Sequence, residues 1–210
     1  MKYITKKELG VLRIICTETI PGIVDVGQEG GLINNEDNLS QIGKCWISGN
    51  ARIFGDAQIF GDAQISGNAQ IFGDAQIFGD AWISDDAQIS GDAWISGDAQ
   101  IFGDAQIFGD AWISDSAQIS GNAQISGDAW VKKSTEYMTI GPLGSRNADT
   151  TFYIDYKHDI CVTCGCFSDS IIMFKKYVMN KYSKNSIYGI QYLAAIQCAK
   201  TILSIGENND

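Results

Sequence analysis

The chain has 210 residues and a mass of 22.8 kDa, is 45% apolar, holds 23 Gly and only 2 Pro, and carries a formal net charge of -10 from 25 acidic and 15 basic side chains. That apolar share fills a core and excludes wholesale disorder. No uncharged apolar run approaches the ~18 residues of a membrane span, and the charge excludes a binder that covers nucleic-acid phosphates. The start, MKYITKKELGVLRIICTETI, lacks a signal peptide's apolar block and small-residue cleavage site. A cytoplasmic chain is therefore expected, with Cys16, Cys45, Cys161, Cys164, Cys166 and Cys198 reduced.

In chain order, residues 1–34 read as an N-terminal capping segment, 35–131 as a repeat region and 132–210 as a small α+β domain. The approach to the repeats, EGGLINNEDNLSQIGKCWISGNARI, contains degenerate six-residue units. It places Leu39 and Cys45 where the repeats have Ala, and Gly43 where they have Gly. A solenoid end exposes unpaired strand edges, so a divergent first coil and a cap are expected there.

From Ile47 to Trp130 the sequence runs in 14 hexads of the form I-[S/F]-[G/D]-[D/N/S]-A-[Q/W/R], with Ala at the fifth position every time and Gly at the third in 12 of 14. A period of six fits neither a helix nor a plain alternating strand. It fits a short strand plus a two-residue corner. In A-Q-I-F, alternation puts Ala and Ile inside and Gln and Phe outside. Then G-D turns the chain, because Gly accepts positive φ and Asp bonds its own backbone. Three such sides close a coil of 18 residues whose Ile and Ala fill a narrow dry core. The segment holds 12 Asp and a single Arg, a net -11, so the flanks together carry +1.

Residues 18 apart stack, so outward side chains sort by face. One face carries an aromatic residue in every coil: Phe60, Phe78, Trp94, Trp112 and Trp130. This column is either a contact surface for oligomer packing, a partner or the C-terminal domain, or a set of strand-favouring rings that stack on one another. Other faces carry Phe54, Phe72 and Phe108, and Trp46, Trp82 and Phe102, also outward. Within a strand, Trp46, Trp82, Trp94 and Trp112 are followed by Ile-Ser, and Phe is preceded by Gln-Ile or Arg-Ile. Asp56, Asp74, Asp92, Asp110 and Asp128 stack along one edge, ~4.8 Å apart. Ca²⁺ binding, mimicry of a phosphate row and simple turn formation are the three readings of that edge. Residues 71–100 and 101–130 match at 26 of 30 positions. This five-hexad near-copy shifts every side chain to a neighbouring face, which suits a spacer better than a catalytic surface.

The hexads resemble the hexapeptide-repeat left-handed parallel β-helix, the fold of many acyltransferases and of one carbonic anhydrase class. The fold class implied is mainly β, a left-handed parallel β-helix with a small C-terminal α+β domain. Gly30-Gly31-Leu32-Ile33, Asn38-Leu39-Ser40-Gln41 and the later IGPLGSRNADTTFY and CGCF resemble bacterial and phage hexapeptide-repeat proteins often labelled acyltransferases. The chemistry of the enzymes is missing here. His158 is the single His and lies outside the repeats, so the prism has neither a His base nor a three-His zinc site. No cofactor is expected.

Past Lys132 the period stops. YMTIGPLGSRNADTTFYIDYKHDICVTCGCF reads as two or three strands with a turn near Lys157–Asp159. Ser168 is expected to cap a helix to about Tyr182, and Asn185 or Ser186 another to about Ser204. Ile171, Phe174 and Val178, then Ile190, Leu193 and Ile196, have the spacing of buried faces. His158, Cys161, Cys164 and Cys166 could supply four zinc ligands, but alternation along one strand aims Cys161 away from the other two thiols. Gly144, Ser145, Arg146 and Asn147 form a candidate anion loop, offering backbone N–H groups and a guanidinium, or else a plain turn.

The expected function is that of a non-enzymatic structural or binding protein: a rigid acidic platform with a C-terminal domain that binds a partner or small anion. The family resemblance implies a phage or prophage relation and a homotrimer, while the charge and the lack of a long apolar run argue against direct nucleic-acid and membrane contact. A CoA-dependent acyltransferase and an acidic decoy of a nucleic-acid-binding factor are the alternatives.

Overall fold

A computed structural model describes residues 1–205; residues 206–210, the end of the expected C-terminal domain, lie outside the described residues. Fifteen two-residue strands, from Trp46–Ile47 to Trp130–Val131, form a parallel solenoid with five strands on each of three faces. Partners lie 18 residues apart, as in Trp94 with Trp112 and Ile95 with Ile113. Below them, Glu29–Ile33 pairs parallel with Arg52–Ile53, adding part of a sixth coil. Every Ile and Ala of the hexads is buried, and together they form one continuous column. Asp85 and Asp115 stand at the corner position otherwise held by Gly, at φ 59° and 53°. Asp is among the few side chains that tolerate this left-handed region.

The two ends are closed by different means. At the lower end, the strands Tyr3–Glu8 and Val11–Cys16 form an antiparallel hairpin whose second strand pairs with Glu29–Ile33. Carbonyls that lack a coil beneath them receive side-chain donors. The Asn38 amide donates to Gly55 O and Ala57 O at 3.0 and 2.8 Å, and the buried Lys2 ammonium donates to Cys45 O at 2.9 Å. Burial pushes the Tyr3 hydroxyl up to about 12, and that hydroxyl donates to Leu39 O.

Leu39 departs from expectation. It bridges Ile59, twenty residues on, and so fills an Ile position rather than an Ala position. Two extra residues before Cys45 restore the register, and Cys45 and Gly43 stack where expected. Trp46 also departs: expected outward, it is 2% exposed, because the N-terminal segment around Ile23 covers that face.

At the upper end, four antiparallel strands form a sheet in chain order: Tyr137–Leu143, Ala148–Ile154, Ile160–Cys164 and Phe167–Ser170. This is one strand more than the most the sequence suggested. Alternation makes the sheet two-faced. Phe152, Ile154 and Val162 meet the helices, while Tyr153 joins the solenoid core. Hydroxyls on the solenoid side replace the acceptors of a missing coil. Gln118, Ser120 and Gln124 donate their N–H groups to Ser134 Oγ, Tyr137 OH and Thr151 Oγ1 at 3.2, 3.2 and 2.9 Å. Unpaired strand edges are thereby satisfied rather than left to template aggregation.

Two helices, α1 (Ile171–Lys181) and α2 (Ile187–Ile205), cover the outer face of this sheet. The cap of α1 is Ser170, not Ser168, because Phe167–Ser170 completes the sheet and Ser168 Oγ bonds Ser126 Oγ instead. Ile171, Phe174 and Val178 are buried as expected. Ile190 is 56% exposed; the buried face of α2 is Tyr192, Ala195, Ile196, Ala199 and Leu203, rotated towards the sheet. Among the described residues, no helix is long and apolar enough to cross a membrane.

Candidate functional site

Two hairpin turns and the facing helix surfaces enclose a cavity of about 150 Å³ in the C-terminal domain. The first turn is Gly144–Asn147. Gly144 (φ 66°) packs so closely on the Tyr192 hydroxyl that any Cβ there collides with it. The second turn is Gly165–Cys166, where a Cβ on Gly165 (φ 62°) would displace the Arg146 guanidinium. Both glycines are thus required by close approach as well as by backbone conformation.

The candidate anion loop is used differently from its sequence reading. The Gly144 N–H donates to Gln191 Oε1 at 3.0 Å, and Ser145 Oγ pairs with the Tyr182 hydroxyl at 3.0 Å. The Asn147 N–H closes the turn onto Gly144 O, with Asn147 at φ 51°. Of the four residues, Arg146 lines the cavity, and Lys181 lines it from α1. Contact with Cys166 holds the Arg146 guanidinium above its usual range, and contact with Tyr177 does the same for the Lys181 ammonium. Among the described residues, the lining contains these two cations and no carboxylate.

The walls are aromatic. Phe174 meets Tyr192 edge-on at 5.6 Å, Tyr182 stacks on Tyr192 at 5.8 Å, and Phe167 lies 5.4 Å from Tyr177. Burial, followed by Cys164, raises the Tyr192 hydroxyl, which accepts from Cys164 Sγ at 3.9 Å. Sequence reasoning missed Tyr177, Lys181, Tyr182 and Tyr192. The i, i+4 pair Tyr177/Lys181 was the available signal, and its hydrogen bond is 3.1 Å long.

The zinc candidates are not brought together. His158 (φ 62°) packs its ring 5.9 Å from Trp130, Cys161 faces Asp155 on the solenoid side, and Cys164 accepts from Thr150 Oγ1 at 3.3 Å. Cys166 sits beside Arg146. Among the described residues, no group of three His, Cys, Asp or Glu is arranged to hold a metal ion.

The aromatic face forms one continuous column. Phe60 and Phe78 stack at 4.9 Å, Phe78 meets Trp94 edge-on at 5.3 Å, Trp94 stacks on Trp112 at 5.5 Å, and Trp112 lies 6.2 Å from Trp130. Trp precedes Ile and Phe follows it, yet the rings meet, so Trp leans across its strand into the Phe column. Ser96 and Ser114, which hold the Phe position in the Trp strands, are buried. The column ends against the turn of the C-terminal domain at Tyr156 and His158, where the Tyr156 N–H donates to Asp128 O.

Residues 117–132 are similar to the YdcK beta solenoid repeat, whose family model they match. No curated protein matches the chain.

Proposed function

We propose that the protein is a non-enzymatic structural and binding protein, in which a rigid acidic solenoid presents a C-terminal domain that captures a small anion. The observation that carries this reading is the cavity with two cations, Arg146 and Lys181, and, among the described residues, no carboxylate in its lining. Charge-assisted hydrogen bonds from a planar guanidinium suit a carboxylate or phosphate, and the phenyl and phenol walls suit a ligand with an apolar body. Copies associate as a homotrimer on this reading, and the resemblance of the leader and CGCF segments to bacterial and phage repeat proteins supports a prophage relation.

Calorimetry with inorganic phosphate and benzoate as probes tests the site. Binding in the millimolar range is expected, weakened about 10- to 100-fold by Arg146→Met and less by Lys181→Met. Absence of binding by the wild type to either probe overturns the anion reading. Acetyl-CoA in the same experiment distinguishes the enzymatic alternative, which requires binding along the prism. Native mass of the intact protein measures the number of chains.

A further inference from the structure

We infer that the Asp–Trp ladder of the solenoid, Asp92/Trp94, Asp110/Trp112 and Asp128/Trp130, is a docking surface for a lysine- or arginine-rich segment of a partner protein. The unit Asp-Ala-Trp recurs at the same place in three successive coils, so each ring has an exposed carboxylate two residues before it. Trp94 and Trp112 are 40% and 45% exposed. Asp110, Asp128, Trp112, Trp130 and Tyr156 line a solvent-open groove of about 520 Å³.

The last rung shows what such a rung accepts. The chain's own Lys132 ammonium lies over the Trp130 ring, 4.0 Å from its centroid. Beside it the Lys157 ammonium lies over Tyr156 at 5.1 Å, with the Tyr156 hydroxyl, Asp155 and Asp128 holding it charged. An aromatic face next to a carboxylate attracts a cation through the ring quadrupole and through charge together. The rungs at Trp112 and Trp94 repeat that construction with their rings open to solvent.

Magnitudes select the occupant. One exposed cation–π contact or one exposed ion pair changes affinity only about two- to fivefold. A small cation on a single rung therefore binds negligibly, whereas an extended basic segment engages several rungs at once and multiplies their effects. The net -11 of residues 47–130 draws such a segment in. This surface is independent of the anion cavity and stands or falls without it.

The test uses labelled oligolysine peptides of increasing length, free lysine, and fluorescence anisotropy on the full chain. Affinity is expected to rise with peptide length and to fall with salt. Trp94→Ala/Trp112→Ala leaves the charge unchanged and is expected to weaken binding roughly tenfold. Asp92→Asn/Asp110→Asn is expected to do the same, while Asp86→Asn/Asp104→Asn, an equal charge change at corners followed two residues on by Gln88 and Gln106 rather than Trp, leaves affinity within about twofold. All these side chains are exposed apart from the backbone they share, and circular dichroism confirms the fold. The proposal is overturned if the wild type binds no peptide, if the two Asp pairs weaken binding equally, or if the Trp variant binds as the wild type does.

Discussion

The solenoid and the C-terminal domain exclude water from their cores in opposite ways. Each solenoid coil offers the same Ile and Ala to the axis, so every coil is interchangeable with its neighbour. In the C-terminal domain Phe152, Val162, Phe174, Tyr192 and Leu203 occur once each and pack against partners found nowhere else. The repetitive core is filled by buried Ile and Ala, and stability accumulates coil by coil. The irregular core leaves a gap between helices and hairpin turns, and the cavity lined by Arg146 and Lys181 lies in that gap. Uniform packing yields length; mismatched packing yields a cavity.

The sharpest way to break this comparison is Phe174→Ala, which empties the centre of the smaller core. A loss of about 3–5 kcal/mol is expected there. Hydrogen exchange should show the helices and four-stranded sheet deprotected while the coils keep their protection. Equal loss in both regions would mean that they unfold as one unit. Next in size, Ile89→Ala and Ile107→Ala each remove a buried side chain from one coil face. Each should cost about 2–5 kcal/mol in denaturant unfolding, and the two costs should agree closely, as interchangeable coils require.

A smaller contrast lies within the corners. Gly91 (φ 82°) would place a Cβ 2.8 Å from Gly109 N, while Gly121 (φ 65°) has nothing within 4 Å. Gly121→Ala should cost about 1 kcal/mol of backbone strain, and Gly91→Ala more, because the next coil must also move. The smallest effect is at the seam between the regions. Burial, with Asp155 adding, pushes the Cys161 thiol up from 9.0 to about 12. The unfolded chain therefore loses this proton first. The thiol's contribution is complete below about pH 9 and declines as pH rises towards about 12. Solvent at the half-buried thiol limits its size. Cys161→Ala should flatten that alkaline decline in thermal unfolding.

The solenoid was legible because one constraint repeats fourteen times: Ile and Ala inward, a corner glycine in all but two hexads, and then Asp, Asn or Ser. Exceptions arose where tertiary cover intervened. Trp46 obeys the strand pattern, yet the N-terminal segment buries it, and no hexad records what lies outside the prism. Leu39 has a conventional spacing in sequence, but its longer side chain fills an Ile site after a two-residue slip. The C-terminal site was legible only in part. Arg146 stood out beside glycines, whereas Lys181 and Tyr192 become relevant only once α1 and α2 fold over the sheet. Ser168 was expected to cap α1, and strand pairing with Cys161–Thr163 moves the cap to Ser170.

The three-hexad coil has one further consequence, for how such a molecule changes shape by insertion or loss. Adding a single hexad would swing the C-terminal domain by ~120° about the prism axis relative to the N-terminal hairpin, while adding under ~2 Å of height. Adding three hexads would raise it by ~4.8 Å and leave its bearing unchanged. The near-copy of residues 71–100 in 101–130 spans five hexads, and so amounts to one full revolution and two-thirds of another. The prism is thus an indexed screw with three detents, on which reach and azimuth can be set almost separately.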